Sequence, residues 1–429
     1  MSDNGREGLP EMGEPRRHVV MCAAACHPDL GSEFAVGWQW ATAAAQCHRV
    51  TVITGDANGS REAIRQRLTV EPQLGRNLEF RFLPWFDPPR SRLLERLWVA
   101  IPPIYYRYYR AWLRHAAEEI RRIIRDEHVD LVHHVTYICF REPGFASALG
   151  VPYVWGPVGG TQNVPWSFLP SLGIVEGTRH AARNMLNWYD LNVRRDVAKS
   201  FRNAAGISAV ASDTRDIVAG RFGRDSVVIP ATACGIGVPA GRQSRGPGPI
   251  RFVFSGLHIA RKGLPYALDA LAAIQDLSWS LDVLGAGPLT AQWKRRAERL
   301  GISDRVQFRG FLPRREAVRI MAGADVFVFP SLQEGWPTVV IEALSLGLPV
   351  VTLRHHGMAD MIDDTCGFSI AVTKPDAVVA EIARALRTLA TDEQELARLS
   401  DGASARASLF SRDRQVSAIA TLYANALTR

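Results

Sequence analysis

Two glutamates, Glu334 and Glu342, stand eight positions apart in the stretch 331–350, SLQEGWPTVVIEALSLGLPV. A carboxylate can accept two hydrogen bonds from a vicinal diol, so either could hold neighbouring hydroxyls of a ligand. The spacing alone is that of an ordinary solvated helix face; the flanking glycines, prolines and apolar runs are what give the pair meaning. Upstream, Arg261 and Lys262 precede Gly263 at the entrance of an apolar helical pattern. Two cations there make a donor-rich mouth for a diphosphate, and preorganised cations stabilise the charge that grows on such a group as it departs. Gly31 and Ser32, at another helix entrance, can bring backbone N–H groups close to a phosphate.

The elements that must position these groups follow from the pattern around them. Ala324–Pro330 is β-branched and aromatic and closes on a proline, which reads as a buried strand ending in a loop. The loop carries Glu334 and Gly335, helical spacing resumes at Val339, Gly347 and Pro349 stop the helix, and 348–352 is the next strand. Glu334 therefore lies at the C-terminal edge of a parallel sheet, where open α/β sheets bind ligands. The same strand–loop–helix–strand order recurs at 18–54, with a strand from His18, a loop at Pro28–Glu33 and a helix over 34–47, and again at 250–274, around Lys262. Asp130–Thr136 and Val151–Gly160 are further strands running into loops, 178–202 reads as a helix, and 411–427 as a final one. The turn Gly285-Ala-Gly287-Pro288 lacks the third glycine of a dinucleotide fingerprint, and Pro288 has no amide to offer.

At 429 residues and 47% hydrophobic, the chain has material for two cores of ordinary domain size. The expected domains are a disordered tail at 1–16, a first Rossmann-like domain at 17–240, a Gly/Pro linker at 241–249, a second Rossmann-like domain at 250–408, and a helix at 409–429 that crosses back to the first. A formal charge of +8 is too mild to imply nucleic acid. No run of eighteen apolar residues occurs, so no spanning helix is expected. Cys22, Cys26, Cys47, Cys139, Cys234 and Cys366 lack CxxC spacing and read as reduced residues of a cytoplasmic protein. Lysine occurs only at 199, 262, 294 and 374, which draws attention to Lys262. The segment 90–125 sets nine arginines against three acids and interleaves Trp98, Tyr105, Tyr106, Tyr108, Tyr109 and Trp112. It reads either as a surface helix whose aromatic stripe packs on its own sheet, or as a peripheral contact with an anionic membrane.

The long ordered pattern SLxEGxPxVxxEALxxGxPV resembles the EX7E motif of retaining glycosyltransferases of family 4, and GPVGG at 156–160 resembles a motif of bacterial members that act in surface-polysaccharide synthesis. The resemblance implies the α/β GT-B fold, two Rossmann-like doubly wound domains facing each other across a cleft. It implies transfer of a sugar from a nucleotide-diphosphate sugar of UDP or GDP type to a lipid-linked or saccharide acceptor, with no metal and no further cofactor. By that resemblance Glu334, Lys262 and Arg261 are the catalytic set. Glu342 would hold the ribose, with Gly31, Ser32, Gly335, Trp336, Thr338, Gly310, Phe311 and Gly357 around the donor; His134, Thr136, Gly159 and Gly160 would stand on the acceptor side. The chain departs from the family pattern in three places. Leu257 occupies the usual arginine position of the family's GR…KG, so either Arg261 substitutes or one cation does the work; Trp336-Pro337 replaces an aromatic followed by glycine; and His133 and His134 are adjacent where the family has H-x-H. The implied place of work is cytoplasmic, peripheral at the inner face of the membrane. A non-catalytic partner of the same fold would have lost the charged set, and an oxidoreductase would need the complete glycine fingerprint with an acid about twenty residues on.

Overall fold

The structure, a computed structural model, describes residues 16–84, 102–234 and 248–428, the side chains of 102–105 excepted. The expected tail up to residue 15, residues 90–101 of the arginine-rich segment and residues 241–247 of the expected linker lie outside the described residues.

Two parallel sheets carry the chain. The first contains β1 (His18–Ala23), β2 (Arg49–Gly55), β3 (Leu78–Leu83), β4 (Leu131–Thr136), β5 (Tyr153–Val158), β6 (Gly206–Ala209) and β7 (Val227–Val228), in the order β3-β2-β1-β4-β5-β6-β7. The second contains β8 (Ile250–Ser255), β9 (Trp279–Leu284), β10 (Val306–Gly310), β11 (Val326–Phe329), β12 (Val350–Leu353) and β13 (Gly367–Ile370), in the order β10-β9-β8-β11-β12-β13. Strands such as Val326–Phe329 are buried throughout, the pattern expected where helices cover both faces of a parallel sheet. Strand order reverses between β1 and β4 in one sheet and between β8 and β11 in the other. These reversals open a crevice at the carboxyl ends of the strands. The loops after β8 and β11 carry Lys262 and Glu334, so the second switch point is where the charged residues converge.

The chain divides into two compact units. One holds the segment ending at Thr161 with Tyr189–Thr232 and Arg412–Arg429; the other holds Gln162–Trp188 and Ala233–Ser411. The helix Arg412–Leu427 thus groups with the first unit. There Tyr423 Oη meets His133 Nδ1 at 2.7 Å, and Gln415 donates to the Pro230 carbonyl at 2.9 Å. Residues 162–188, expected within the first domain, group instead with the second unit. Phe168 and Leu169 enter its core, Ser167 donates to the Thr373 carbonyl at 2.8 Å, and Gln333 donates to the Gln162 carbonyl at 2.6 Å. Apolar anchoring and backbone satisfaction outweigh sequence proximity here, and no composition break marks the change. The helix expected over 178–202 is two, Ile174–Asn192 and Arg195–Asn203.

The arginine-rich segment forms the helix Pro102–Asp126. Tyr109, Trp112, Leu113, Ala116, Ile120 and Ile123 recur at helical spacing and are buried in the core of the first unit. Arg107, Arg110, Arg114, Arg121, Arg122 and Arg125 face outward, and Arg110 reaches Glu142 at 2.6 Å. Of the two readings of this segment, the structure shows the self-packed one for Tyr109 and Trp112. Among the described residues no helix is long and apolar enough to cross a membrane.

Candidate functional site at the second switch point

Strand β8 ends at Ser255, and the chain loops through a short turn, Ala260–Lys262, into the helix Leu264–Ala272. The turn is closed by Gly263 at φ 71°, and a Cβ there would stand 2.0 Å from the Pro330 carbonyl oxygen. Only glycine lets the loops after β8 and β11 meet backbone to backbone. They are then stitched together, with the Arg261 carbonyl accepting from Leu332 N–H at 2.7 Å.

This stitching places three donors on one oxygen. Glu334 Oε1 accepts from Lys262 Nζ at 2.6 Å, Arg261 Nη1 at 2.8 Å and Ser331 Oγ at 2.8 Å. Arg261 Nη1 also donates to the Gln333 carbonyl at 2.7 Å, and Lys262 Nζ lies 5.0 Å from the centre of the Phe329 ring. Burial alone would raise the Glu334 carboxyl, but the charges of Lys262 and Arg261 and the hydrogen bonds from Lys262 and Ser331 outweigh it and hold the group below its ordinary range. Burial lowers the Lys262 ammonium; Glu334 opposes that shift and Arg261 adds to it, leaving the net direction downward. The cluster is therefore an ionised carboxylate held between cations, with the lysine loosened by its own burial.

A third loop closes on the first two. The helix His356–Met361 follows β12. A Cβ on Gly357 would stand 1.9 Å from the Gly335 carbonyl oxygen. His355 Nε2 meets the Ser331 carbonyl at 2.9 Å, and His356 Nε2 meets the Asn163 carbonyl at 3.0 Å. Gly335 and Gly357 are thus a close-packed pair. Trp336 turns its ring onto Phe410, with centroids 5.3 Å apart, and Thr338 opens the helix Thr338–Ser345 directly after Pro337. Glu342, on that helix, belongs to a separate ion pair: its Oε1 accepts from Arg314 Nε at 2.9 Å and Nη2 at 2.7 Å. Gly310 and Phe311 stand at the end of edge strand β10, with Phe311 81% exposed. The Gly285–Pro288 turn packs on the loop after β8, with His258 N–H donating to the Ala286 carbonyl at 3.1 Å, so its glycines have a packing reason.

In the first unit, Gly31 and Ser32 are exposed ahead of the helix Glu33–Ala44, as expected for a helix entrance. Glu33 accepts the Ile138 N–H at 3.0 Å, tying this helix to the loop after β4. Burial pushes its carboxyl up to about 7, the Ile138 hydrogen bond opposing. His134 and Thr136 do not reach an accessible edge; both are fully buried. Thr136 Oγ1 accepts from Ala25 N–H at 3.1 Å, its carbonyl accepts from Tyr109 O–H at 2.7 Å, and burial pushes the His134 imidazole down to about 4. Gly159 leaves room for Ile138 and Val210, which a Cβ would meet at 2.7 and 2.9 Å, and Gly160 takes φ 80° beside Cys139.

Sequence reasoning missed Ser331, Gln333, His355, Arg314 and Glu33 as members of these arrangements. The available signals were Ser331 opening the loop, the two histidines just before Gly357, and an acid in the first helical turn behind Gly31-Ser32. Among the described residues no group of three or more His, Cys, Asp or Glu could hold a metal ion.

Comparison with known proteins bears on the fold that carries this site. Residues 242–404 match the family model for glycosyl transferases group 1, and residues 40–232 that for Glycosyltransferase Family 4. The amylovoran biosynthesis glycosyltransferase AmsK of Erwinia amylovora is 32% identical over 27% of this chain and 30% of its own length. The 2-deoxystreptamine glucosyltransferase of Streptomyces kanamyceticus is 26% identical over 66% of this chain and 73% of its own. The crystal structure of Anabaena Alr3699/HepE in complex with UDP superposes with a TM-score of 0.60 at 16% identity, covering 94% of this chain and 98% of that one. The matches span between 30% and 38% of the length of the first three curated relatives. The fold is GT-B, with two Rossmann-like domains. The family matches and these neighbours support a glycosyltransferase of that fold.

Proposed function

We propose that the chain transfers a sugar from a nucleotide-diphosphate sugar of UDP or GDP type to a lipid-linked or saccharide acceptor, with retention at the anomeric carbon and without a metal ion. One observation carries the proposal: Lys262 and Arg261 converge on Glu334 at the switch point of the second sheet. The difficult step is departure of the nucleoside diphosphate. Lys262 and Arg261, held together on Glu334, would supply the cationic donors for that negative charge. All three donors to Glu334 meet Oε1, so Oε2 is the oxygen for a hydroxyl of the transferred sugar. Glu342 would take the ribose hydroxyls, with Arg314 as the partner it must share. The close-packed Gly335–Gly357 pair would leave bare backbone for the donor to approach, while Pro337 has no N–H to give. A lipid-linked acceptor would place the protein at the cytoplasmic face of a membrane.

Relatives named for amylovoran biosynthesis and for glucosyl transfer, and a structural neighbour solved with UDP, support this reading. Ligand-induced stabilisation tests it. A nucleotide at a hundred times its dissociation constant stabilises the folded state by about 2.7 kcal/mol. UDP or GDP should raise the melting temperature, Lys262→Ala should weaken that rise, and NAD should do nothing. Stabilisation by NAD alone would point to another class of enzyme.

A further inference from the structure

The helix Ile174–Asn192 is built inside out over 174–188. The buried positions there are Gly177, His180, Asn184 and Asn187, none of them a large apolar residue. The exposed ones include Ile174, Val175, Met185, Leu186 and Trp188, each between 57% and 87% exposed, and Trp166 just upstream is 60% exposed. The orientation is held by specific hydrogen bonds. Asn184 donates to the Val164 carbonyl at 2.8 Å, Arg183 to the Gln162 carbonyl at 2.7 Å, and Asn187 to Asn163 Oδ1 at 2.6 Å. The polar side of the helix serves to grip the strap at 162–164, and the apolar side is left facing water. Soluble proteins rarely leave so large a contiguous apolar face uncovered unless something docks there.

We propose that this face is a docking surface for an anionic lipid bilayer, with the helix lying flat in the headgroup region. The charge pattern selects the occupant. Of the eight exposed positions from Ile174 to Trp188, one is charged, and it is Arg179. The nearest acid, Glu176, is half-buried and approaches Arg179 at 3.8 Å. Lys374 is exposed next to Thr373, whose carbonyl holds Ser167 beside Trp166. A second copy of the chain packing about a two-fold axis would set this cationic face against itself, with no exposed acid from the helix to pair with Arg179. Exposed Arg179 and Lys374 suit anionic headgroups, and tryptophans flanking an apolar helix face favour the headgroup level of a bilayer. The inference deepens the lipid-linked acceptor reading and rests on it for its purpose, but vesicle binding needs no sugar transfer, so the two fail separately.

The test is flotation of the full chain with phosphatidylglycerol-containing vesicles and with phosphatidylcholine vesicles, over a range of salt. The chain should float with the anionic vesicles, less so as salt rises. The double variant Met185→Glu/Leu186→Glu should lower the partition coefficient at least tenfold. Both side chains are exposed, so folding should be kept, and unchanged melting and unchanged stabilisation by nucleotide check that. Val70→Glu, equally exposed in the first unit, should bind as the parent does. Parent protein that stays off anionic vesicles, or a double variant that binds as well as the parent, overturns the proposal. A dimer that the double variant dissociates, without vesicle binding by either, would assign the face to a second copy instead.

Discussion

Removing the carboxylate at the centre of the cluster exposes how its charges depend on one another. Glu334, Lys262 and Arg261 have side chains 11%, 12% and 29% exposed, and both cations lie within 2.8 Å of the same oxygen. Breaking a buried ion pair by deleting one partner costs about 3–5 kcal/mol, because the remaining charge is left uncompensated. Water reaches Arg261, and its bond to the Gln333 carbonyl survives, so the low end, about 3 kcal/mol, applies to Glu334→Gln. Lys262→Met keeps the length of the side chain over Phe329 but leaves Glu334 with Arg261 and Ser331 alone, at a cost of about 2 kcal/mol. The double variant removes opposite charges together and should lose only about 2–3 kcal/mol, not the sum of about 5, a coupling of about 2 kcal/mol. In thermal terms Glu334→Gln should melt about 6–12 °C below the parent, taking 2–4 °C per kcal/mol for a domain of 150–250 residues. Urea unfolding of the four proteins without nucleotide measures the cycle. Additivity within about 0.5 kcal/mol would mean that the cations and the carboxylate do not support one another, and the site argument would lose its physical basis.

Gly263→Ala should destabilise by more than about 2 kcal/mol, since left-handed strain is joined by a clash with Pro330, whereas Gly301→Ala, at φ 69° with open space around it, should cost only about 1 kcal/mol; equal losses on chemical denaturation would remove the close-approach argument. Glu33 binds its proton more tightly in the folded chain than in the unfolded one. Its stabilising contribution is therefore complete below pH 4.5 and is lost as pH rises through about 7. Glu33→Gln removes that dependence, so the variant should gain on the parent by about 2 kcal/mol between pH 5 and pH 8, and a stability difference that stays flat with pH would contradict the assignment. Lys262→Ala should lower turnover by the equivalent of about 2–4 kcal/mol of transition-state stabilisation, and Arg261→Ala by clearly less; equal small effects in steady-state kinetics would take both out of the chemistry.

The sheets were readable because parallel strands buried on both faces are continuous apolar runs, and Val326–Phe329 and the FVF core of Ile250–Ser255 stand out as such. Glu334, Lys262 and Arg261 were readable as candidates because loops at the carboxyl ends of such strands have a fixed place in the fold. What the sequence could not show is which partners these loops find across the chain. Ser331 and Gln333 become part of the site only through tertiary hydrogen bonds, and Arg314 meets Glu342 from a helix 28 residues away. His134 was placed on the acceptor side by resemblance alone, which does not say what covers it; Tyr109, from the helix Pro102–Asp126, does the covering. The strap at 162–188 escaped notice for a related reason. Its helix has the ordinary amphipathic period, and period alone does not say which face turns inward.

The most direct test of the central claim is the anomeric configuration of the sugar first released or transferred when the purified chain is given UDP- and GDP-sugars, followed by proton NMR before mutarotation. The account predicts that one of these donors is consumed with the configuration of its anomeric carbon kept, and that Glu334→Gln consumes it far more slowly. An inverted product, or consumption unaffected by the loss of Glu334, would contradict it.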